Sequence, residues 1–262
     1  MSLTLTPLSE IPLIRHGDNL ADIVVNALEN TKIDLQDNDI LVFAQKIVSK
    51  AEGRTINLAT VTPSARAVEL AQQTEKDARV VELILQESNE VLRTRVGAII
   101  VEHKLGFVCA NAGIDHSNVS PPLPQGEGLG VRVEEYVLLL PKDPDRSANE
   151  LRAKIEFHSG KKIGILIIDS HGRAWRNGTV GTAIGIAGLP GLEDLRGKPD
   201  LFGYKLQVTQ VGVADELAAA ASLVMGQAAE GTPIVHARGF PYPLREGALK
   251  ELIRPKEQDL FR

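Results

Sequence analysis

The sequence is poor in cysteine and in aromatic residues, and it carries no excess of positive charge. Its single cysteine, Cys109, excludes an intrachain disulfide and is typical of a reducing compartment. An aromatic content of 4% and a net charge of −5 are unlike a nucleic-acid-binding surface, which needs basic and stacking side chains. No apolar run approaches the length of a membrane span, and residues 1–14 lack the pattern of a signal peptide. We therefore expect a cytoplasmic protein that binds neither nucleic acid nor membranes.

Several familiar catalytic motifs are also missing. Gly191–Lys198 has five residues between its glycines where a P-loop has four, and Pro199 stands where a Ser or Thr would hold magnesium. Gly126–Val131 lacks the last glycine of the Rossmann dinucleotide fingerprint. The histidines and the cysteine show no zinc-site spacing, and there is no G-x-S-x-G turn. The templates of simple dehydrogenases and hydrolases therefore do not apply.

What the sequence does contain is the composition of a globular protein with mixed secondary structure. Hydrophobic residues make up 43% of its 262 residues and charged residues 24%, enough for one large domain or two lobes. Four elements are predicted most clearly: helices over Leu20–Leu28 and Pro144–Gly160, a strand over Asp39–Val48, and a hairpin around His103–Gly106. Strands and helices interleave without a regular β-α-β rhythm. We therefore expect an α+β or mixed α/β fold with mixed or largely antiparallel sheets, and a proline- and glycine-rich surface loop at 119–132.

The most informative segment is Ile163–Gly188. An apolar run over Ile163–Ile168 stops at Asp169, and a glycine-rich segment with Arg173 and Arg176 follows it. This pattern predicts a buried strand that ends at the carboxylate, where a sheet presents side chains at its rim, and then a basic loop. It indicates a site for a metal ion and anionic oxygen. The two arginines bind a phosphate or a carboxylate, or else form surface ion pairs.

Asp115 stands in a similar context. A β-rich segment and a turn of small residues precede it, and Asn118 follows three residues later. Two carboxylates from separate strand ends, Asp115 and Asp169, suit a hard divalent cation or two cations that share a phosphate. The alternative for each aspartate is a turn or helix cap that accepts hydrogen bonds from backbone amides. Both interpretations stay open at this point.

Two further features fit an anion-binding site but do not require one. Lys46 and Lys50 are predicted to share one face of the strand that begins at Asp39, where they would neutralise a polyphosphate or form a solvated charged edge. Gly226 and Gln227 interrupt an alanine-rich helix that Asp215 is predicted to cap. Glycine costs a helix about 1 kcal/mol relative to alanine. Its presence indicates the approach of a ligand, close packing, or the fraying end of the helix.

Six segments of the chain carry a common resemblance. They are IPLIRHGD, QKIVSKAEGR, CANAGIDHSN, LLPKDPDRSA, IIDSHGRAWRNGTVGTAIG and MGQAAEG. In this order and rough spacing they resemble the coenzyme F420-0:L-glutamate ligase family over nearly the whole chain. The resemblance implies one catalytic unit of two lobes over residues 1–262, active as a homodimer. It also implies that L-glutamate is joined to F420-0 by an amide bond, through an acyl phosphate formed with GTP.

The same resemblance assigns roles to individual residues. It implies two magnesium or manganese ions and a potassium ion as cofactors. The implied ligands of the divalent metal are Asp115, Asp169, Ser170 and Gln227. The implied nucleotide contacts are Leu13, Gln45, Lys46, Lys50, Asn118, Met225, Gly226, Gln227 and Gly231. Since acyl-phosphate formation brings a carboxylate against a polyphosphate, Lys50, Arg173 and Arg176 are the predicted catalytic cations.

Two other functions fit the same acids and lysines. A two-metal phosphohydrolase of a phosphorylated metabolite would use water in place of the glutamate amine. A nucleotide-binding regulatory protein would bind the same anion without any chemistry. The three differ in whether a product forms and in whether its formation depends on the nucleotide and on glutamate.

Overall fold

The computed structural model describes residues 2–119 and 135–260, and its largest sheet has five strands. In spatial order these strands are β1 (Thr4–Pro7), β12 (Ile234–Arg238), β2 (Ile40–Ala44), β8 (Gly164–Arg173) and β9 (Arg176–Ala187). Strands β2 and β8 are parallel, whereas the other neighbouring pairs are antiparallel. The predicted α+β class with mixed sheets is therefore confirmed.

Helices cover both faces of this sheet. They are α1 (Leu20–Asn30), α5 (Pro144–Ser159) and α6 (Val213–Met225). On β2, Leu41 and Phe43 point into the core with α1 and α5, while Ile40 and Val42 point into the core with α6. Strands covered on both faces have continuous apolar sequences, which explains why 40–44 and 164–168 show no alternation. The helices predicted from Leu20 and Pro144 are confirmed.

A second core forms between two helices and a three-stranded antiparallel sheet. Its elements are α3 (Ala65–Thr74), α4 (Ala78–Gln86), β4 (Ser88–Arg95), β5 (Ala98–His103) and β6 (Val108–Ala110). The hairpin predicted around His103–Gly106 joins β5 and β6, so that prediction is confirmed. Two short strand pairs complete the described sheets: β3 (Thr55–Asn57) with β7 (Tyr136–Leu138), and β10 (Glu193–Asp194) with β11 (Gln210–Val211).

The strand predicted over Asp39–Val48 is wrong in its second half. Strand β2 ends at Ala44, and Gln45 begins helix α2 (Gln45–Ala51). Burial of Ile47 and Val48 on one side of this helix overrides the strand preference of their branched side chains. Lys46 and Lys50 therefore share a face as residues i and i+4 of a helix, not as alternate residues of a strand.

The predicted strand end at Asp169 is also wrong. Strand β8 continues to Arg173, and the glycine-rich segment is its antiparallel partner β9, in which Thr182 pairs with Asp169. The neighbour on the other side, β2, pairs with β8 only as far as Ile168, so Asp169 is the first residue of β8 beyond that edge. Glycine in β9 serves packing: a Cβ at Gly181 would collide with the Ala218 carbonyl oxygen of α6.

Helix α6 differs from its prediction at both ends. It ends at Met225, so Gly226, with φ of +77°, follows the helix and does not interrupt it. At the other end Gly212 occupies the cap position, and the predicted cap Asp215 lies inside the first turn. The carboxylate of Asp215 accepts a hydrogen bond of 2.9 Å from the Ala183 amide of β9. Aspartate here joins helix to sheet.

The helices and strands described above do not test two predictions about the organisation of the chain. Residues 120–132 of the predicted loop 119–132 lie outside the described residues. The division into two lobes also stays a prediction. Within residues 2–119 and 135–260, no helix combines the length and the apolarity that a bilayer crossing requires.

Candidate functional site

A cavity of about 1030 Å³ opens where α2, the end of β8, the Asp115 segment and the turn after α6 meet. It is lined by every residue that the sequence predicted to bind metal or nucleotide. These are Leu13, Gln45, Lys46, Lys50, Asp115, Asn118, Asp169, Ser170, Met225, Gly226, Gln227 and Gly231. The fold therefore brings together segments that are more than 200 residues apart in the chain.

Gln45, the first residue of α2, holds the carboxylate of Asp115. Its side-chain amide donates a hydrogen bond of 2.7 Å to Asp115 Oδ2, and its amide oxygen accepts one of 2.9 Å from Ser49 Oγ. Gln45 is only 1% exposed and Ser49 is fully buried. Both ends of the Gln45 amide are therefore committed inside the protein.

The two lysines of α2 differ in what they contact. Lys46 Nζ lies 3.4 Å from Asp115 Oδ1 and donates a hydrogen bond of 2.8 Å to Ser117 Oγ. No carboxylate of the described residues lies within ion-pair distance of Lys50. Burial, reinforced by the charge of Lys46, lowers the pKa of Lys50. Lys50 is thus the cation that faces the cavity without an acidic partner from the described part of the chain.

The environment of Asp115 disfavours its ionised form. Burial raises its pKa to about 6, the proximity of Asp169 adds to the increase, and Lys46 partly offsets it. The two carboxylates line the same cavity, where the charge of Asp169 contributes to the raised pKa of Asp115. A cation placed between them would relieve their mutual repulsion.

Asp169 is flanked by a histidine on the same face of β8. His171 Nε2 lies 3.0 Å from Asp169 Oδ2, because residues i and i+2 of a strand project to one side. The His171 ring packs against Phe107, which stacks on His103. Its side chain is only 13% exposed, so His171 is largely buried beside Asp169.

The turn after α6 reaches the same cavity through side-chain hydrogen bonds. Ser170 Oγ donates to Gln227 Oε1 at 2.8 Å, and Gln227 Nε2 donates to Ser222 Oγ at 2.8 Å. Asn118 Nδ2 donates to the Ala228 carbonyl at 3.3 Å, which joins this turn to the Asp115 segment. Gln227 is therefore oriented from both sides.

Arg173 and Arg176 lie outside this cavity. They form the last residue pair of the β8–β9 hairpin, at its exposed tip around Trp175. Arg173 donates to the Asn177 carbonyl at 3.2 Å, and neither arginine forms an ion pair with any described residue. The alternative of surface ion pairs is therefore not supported within residues 2–119 and 135–260.

Three residues that lie against the predicted site residues were not predicted to belong to the site: Ser49, His171 and Ser222. A signal existed for two of them. Ser49 is four residues after Gln45 on a helix, and His171 is two residues after Asp169 on a strand, so each faces its partner. Ser222 gave no such signal because its partner Gln227 lies beyond the end of α6.

The oxygen donors around the cavity fit a hard divalent cation. In the described residues no three His, Cys, Asp or Glu side chains cluster as a metal site, so a closed protein cage is absent there. Two carboxylates with a hydroxyl and an amide oxygen suit magnesium or manganese, which bind proteins through one or two carboxylates plus water and phosphate oxygens. They do not suit zinc, which prefers nitrogen and sulfur.

Comparison with known proteins gives a consistent result. The family model described as F420-0:Gamma-glutamyl ligase matches residues 9–239. The coenzyme F420:L-glutamate ligase of Methanococcus maripaludis is 48% identical over 255 residues, covering 97% of this chain and 95% of that protein. The protein of the same name from Methanothermobacter thermautotrophicus is 46% identical over 264 residues, covering 100% of both chains. The one from Methanocaldococcus jannaschii is 42% identical over 255 residues, covering 97% of this chain and 94% of that protein.

Proposed function

Since the chain belongs to the F420-0:gamma-glutamyl ligase family, we propose that it joins L-glutamate to coenzyme F420-0 at the expense of GTP. The enzyme is a ligase that forms an amide bond. The observation that supports the finer proposal is the cavity itself. Two carboxylates, Asp115 and Asp169, face it together with Lys46, Lys50 and the turn at 225–233.

In the first proposed step the terminal carboxylate of F420-0 attacks the γ-phosphorus of GTP. An O–P bond forms, the bond to GDP breaks, and an acyl phosphate results. Both reactants are anionic, so the site must offset their repulsion as charge moves onto GDP. Lys50 suits this role because it faces the cavity, is half-buried and has no carboxylate partner among the described residues.

In the second step the amine of L-glutamate attacks the carbonyl carbon of the acyl phosphate. The C–N bond forms, the C–O bond to phosphate breaks, and the proton that the amine loses is taken up by the departing phosphate. Holding both substrates in one cavity converts this step into an effectively unimolecular reaction. Its volume of about 1030 Å³ lies at the upper end of the range for small-molecule sites, as a nucleotide beside an acceptor requires.

The metal and the monovalent ion are part of the proposal. Asp115, Asp169, Ser170 and Gln227 would hold magnesium or manganese, which would supply charge neutralisation at the phosphate oxygens. Dependence on potassium rests on the family resemblance, and we place no residue at such a site. Replacing potassium with tetramethylammonium at constant ionic strength tests it.

The decisive experiment is incubation with GTP, manganese, L-glutamate and F420-0, followed by mass analysis of the products. A glutamate-dependent mass gain of F420-0 with stoichiometric GDP supports the ligase. Phosphate release that needs neither GTP nor glutamate would instead support a phosphohydrolase. Nucleotide binding without any product would leave a regulatory protein.

A homodimer is also proposed, and exposed apolar side chains support it. Residues 193–211 form a ribbon, closed by β10 and β11, whose tip carries Leu201 and Phe202 at 97% and 95% exposure. Trp175, at the tip of the β8–β9 hairpin, is 89% exposed. Light scattering of the full chain tests the dimer, and Leu201→Ser with Phe202→Ser should shift it toward monomer.

The predicted catalytic role of Arg173 and Arg176 depends on that dimer. In one chain the hairpin tip does not line the cavity, so the arginines would have to reach the cavity of a second chain. Mixing an Asp169→Asn variant with an Arg173→Ala/Arg176→Ala variant tests this. Recovery of activity in the mixture would support a shared site, whereas full activity of the arginine variant alone would end the catalytic assignment.

A further inference from the structure

The hydrogen bonds of Gln45 favour a role in this site other than the predicted nucleotide contact. We propose that Gln45 is a positioning residue, which holds the Asp115 carboxylate in the orientation that binds the divalent metal, and that Ser49 fixes Gln45 for this purpose. The inference rests on the proposed function, because it assumes that Asp115 is a metal ligand. It concerns how that ligand is held.

The hydrogen-bond chemistry allows one arrangement of the Gln45 amide. An ionised carboxylate accepts hydrogen bonds only, so the nitrogen of Gln45 must face Asp115, at 2.7 Å. The amide oxygen then faces Ser49 and accepts from its hydroxyl at 2.9 Å. The residue spacing of four along α2 makes this second bond local and rigid.

Burial removes the alternatives for this side chain. Gln45 borders the cavity but is only 1% exposed, and both ends of its amide are already hydrogen-bonded, so it offers little surface to a nucleotide there. The other contact to Asp115, from Lys46 at 3.4 Å, comes from a flexible and partly exposed side chain. Lys46 places a positive charge beside the Asp115 carboxylate, whereas the hydrogen bond from Gln45 fixes the orientation of that carboxylate. Carboxylate ligands held by such outer partners typically lose 10- to 100-fold in metal affinity when the partner is removed.

The backbone of Asp115 is fixed by two hydrogen bonds with Leu138, at 3.0 and 2.9 Å, but these bonds do not orient its side chain. Asp115 lies outside the named strands and pairs with Leu138 only through an isolated bridge. The residue that orients its side chain comes from a helix 70 residues earlier in the chain. Without Gln45, the carboxylate would be held by Lys46 alone.

The test compares metal affinity with nucleotide affinity in Gln45→Met, which keeps the length of the side chain but removes the amide. Binding of Mn²⁺ alone is measured by the electron paramagnetic resonance signal of the free ion, at pH 8, well above the pKa of Asp115. We expect Mn²⁺ affinity to fall 10- to 100-fold. GDP affinity at saturating Mn²⁺ should stay within about twofold, since positioning residues act through the metal.

Two further variants keep the result interpretable. Ser49→Ala leaves Gln45 in place but frees its oxygen, and should weaken Mn²⁺ binding in the same direction by a smaller factor. Gln86→Met is the matched control, because Gln86 also donates from its amide to a carboxylate, that of Glu82 on α4, away from the cavity. It should bind Mn²⁺ like the parent.

Unchanged Mn²⁺ affinity in both Gln45→Met and Ser49→Ala would overturn the inference, as would a loss of GDP affinity alone. Should Gln45→Met fail to fold, Ser49→Ala decides by the same criterion. If the parent protein itself does not bind Mn²⁺, the metal assignment of the proposed function fails, and the inference fails with it. These outcomes separate an error about Gln45 from an error about the site.

Discussion

The two carboxylates of the cavity, Asp115 and Asp169, are held in different ways. Asp169 is part of a ten-residue strand, and its pairing with Thr182 sets its position through the backbone. Asp115 lies in an irregular segment and is oriented by Gln45 and Lys46, side chains from a distant helix. A ligand held by backbone register tolerates the loss of a neighbouring side chain better than a ligand held by side chains. The comparison therefore predicts unequal responses to mutation.

The strongest loss of ligase activity is expected when either Asp115 or Asp169 is replaced, because both are proposed metal ligands. Asp169→Asn and Asp115→Asn should each reduce ligase turnover by about 10³-fold, since each removes charge that would hold the cation against the phosphates. Folding, followed by circular dichroism, should be retained. Asp34→Asn, a change on an exposed aspartate outside the cavity, is the control. Near-normal turnover in either variant would remove that residue from the metal site.

The second prediction concerns how much each carboxylate destabilises the folded protein when no metal is bound. The pKa of Asp115 is about 6 in the folded state and about 4 in the unfolded chain, so the folded protein binds the proton more tightly between these values. The contribution of Asp115 to the free energy of unfolding should therefore fall as pH rises from about 4 to 6, and stay low above pH 6. At about 1.4 kcal/mol per pH unit, the loss is at most about 3 kcal/mol.

Asp115→Asn removes this penalty while keeping an acceptor for Gln45. At pH 7 and without metal, the variant should be more stable than the parent by up to about 3 kcal/mol. Urea unfolding between pH 4 and pH 8 measures the difference. Asp169→Asn should gain less, because it relieves only the repulsion on Asp115. A stability difference between Asp115→Asn and the parent that does not change across this pH range would contradict the raised pKa of Asp115.

The third prediction tests whether Asp169 depends less than Asp115 on neighbouring side chains. His171→Asn removes the ring that lies 3.0 Å from Asp169, but the strand pairing of Asp169 remains. We expect Mn²⁺ affinity to fall by less than about 10-fold, the lower end of the effect of outer-shell partners. Gln45→Met should cost more under the same conditions. A larger loss of Mn²⁺ affinity in His171→Asn than in Gln45→Met would contradict the view that strand pairing holds Asp169 in place.

The smallest effect concerns the tip of the hairpin that carries Asp169 at its base. Arg173→Ala and Arg176→Ala should change the free energy of unfolding by less than about 0.5 kcal/mol, because both side chains are exposed and neither forms an ion pair with a described residue. Chemical denaturation measures this. A larger loss would indicate that the tip packs against a second chain, and its dependence on protein concentration would confirm that cause.

The identities of the site residues were easier to predict from the sequence than the secondary structure that positions them. Asp115, Asp169 and Gln227 were identified from motifs and from a family resemblance, and all three line one cavity. Their secondary structure was predicted less well: Gln45–Ala51 is a helix, and β8 runs past Asp169. Ile47 and Val48 have branched side chains that favour a strand, so only tertiary packing selects the helix.

The partners that hold these residues could not have been predicted with the same ease. The bond from Gln45 to Asp115 spans 70 residues, and the bond from Ser170 to Gln227 spans 57. Neither separation follows from a helical or strand period. The parallel pairing of β2 with β8 brings Ala44 beside Ile168 and so places the start of α2 next to Asp169, which the sequence did not predict either.

The mixed fold class, the absence of P-loop and Rossmann motifs, the family and the chemical types of the site residues all follow from the linear sequence. Local patterns and short motifs record these properties directly. The tertiary structure alone decided that Asp115 carries a raised pKa, that Gln45 and His171 face the carboxylates, and that Arg173 and Arg176 lie outside the cavity. Burial, charge proximity and hydrogen-bond direction depend on which distant segments meet, and a linear pattern does not contain that information.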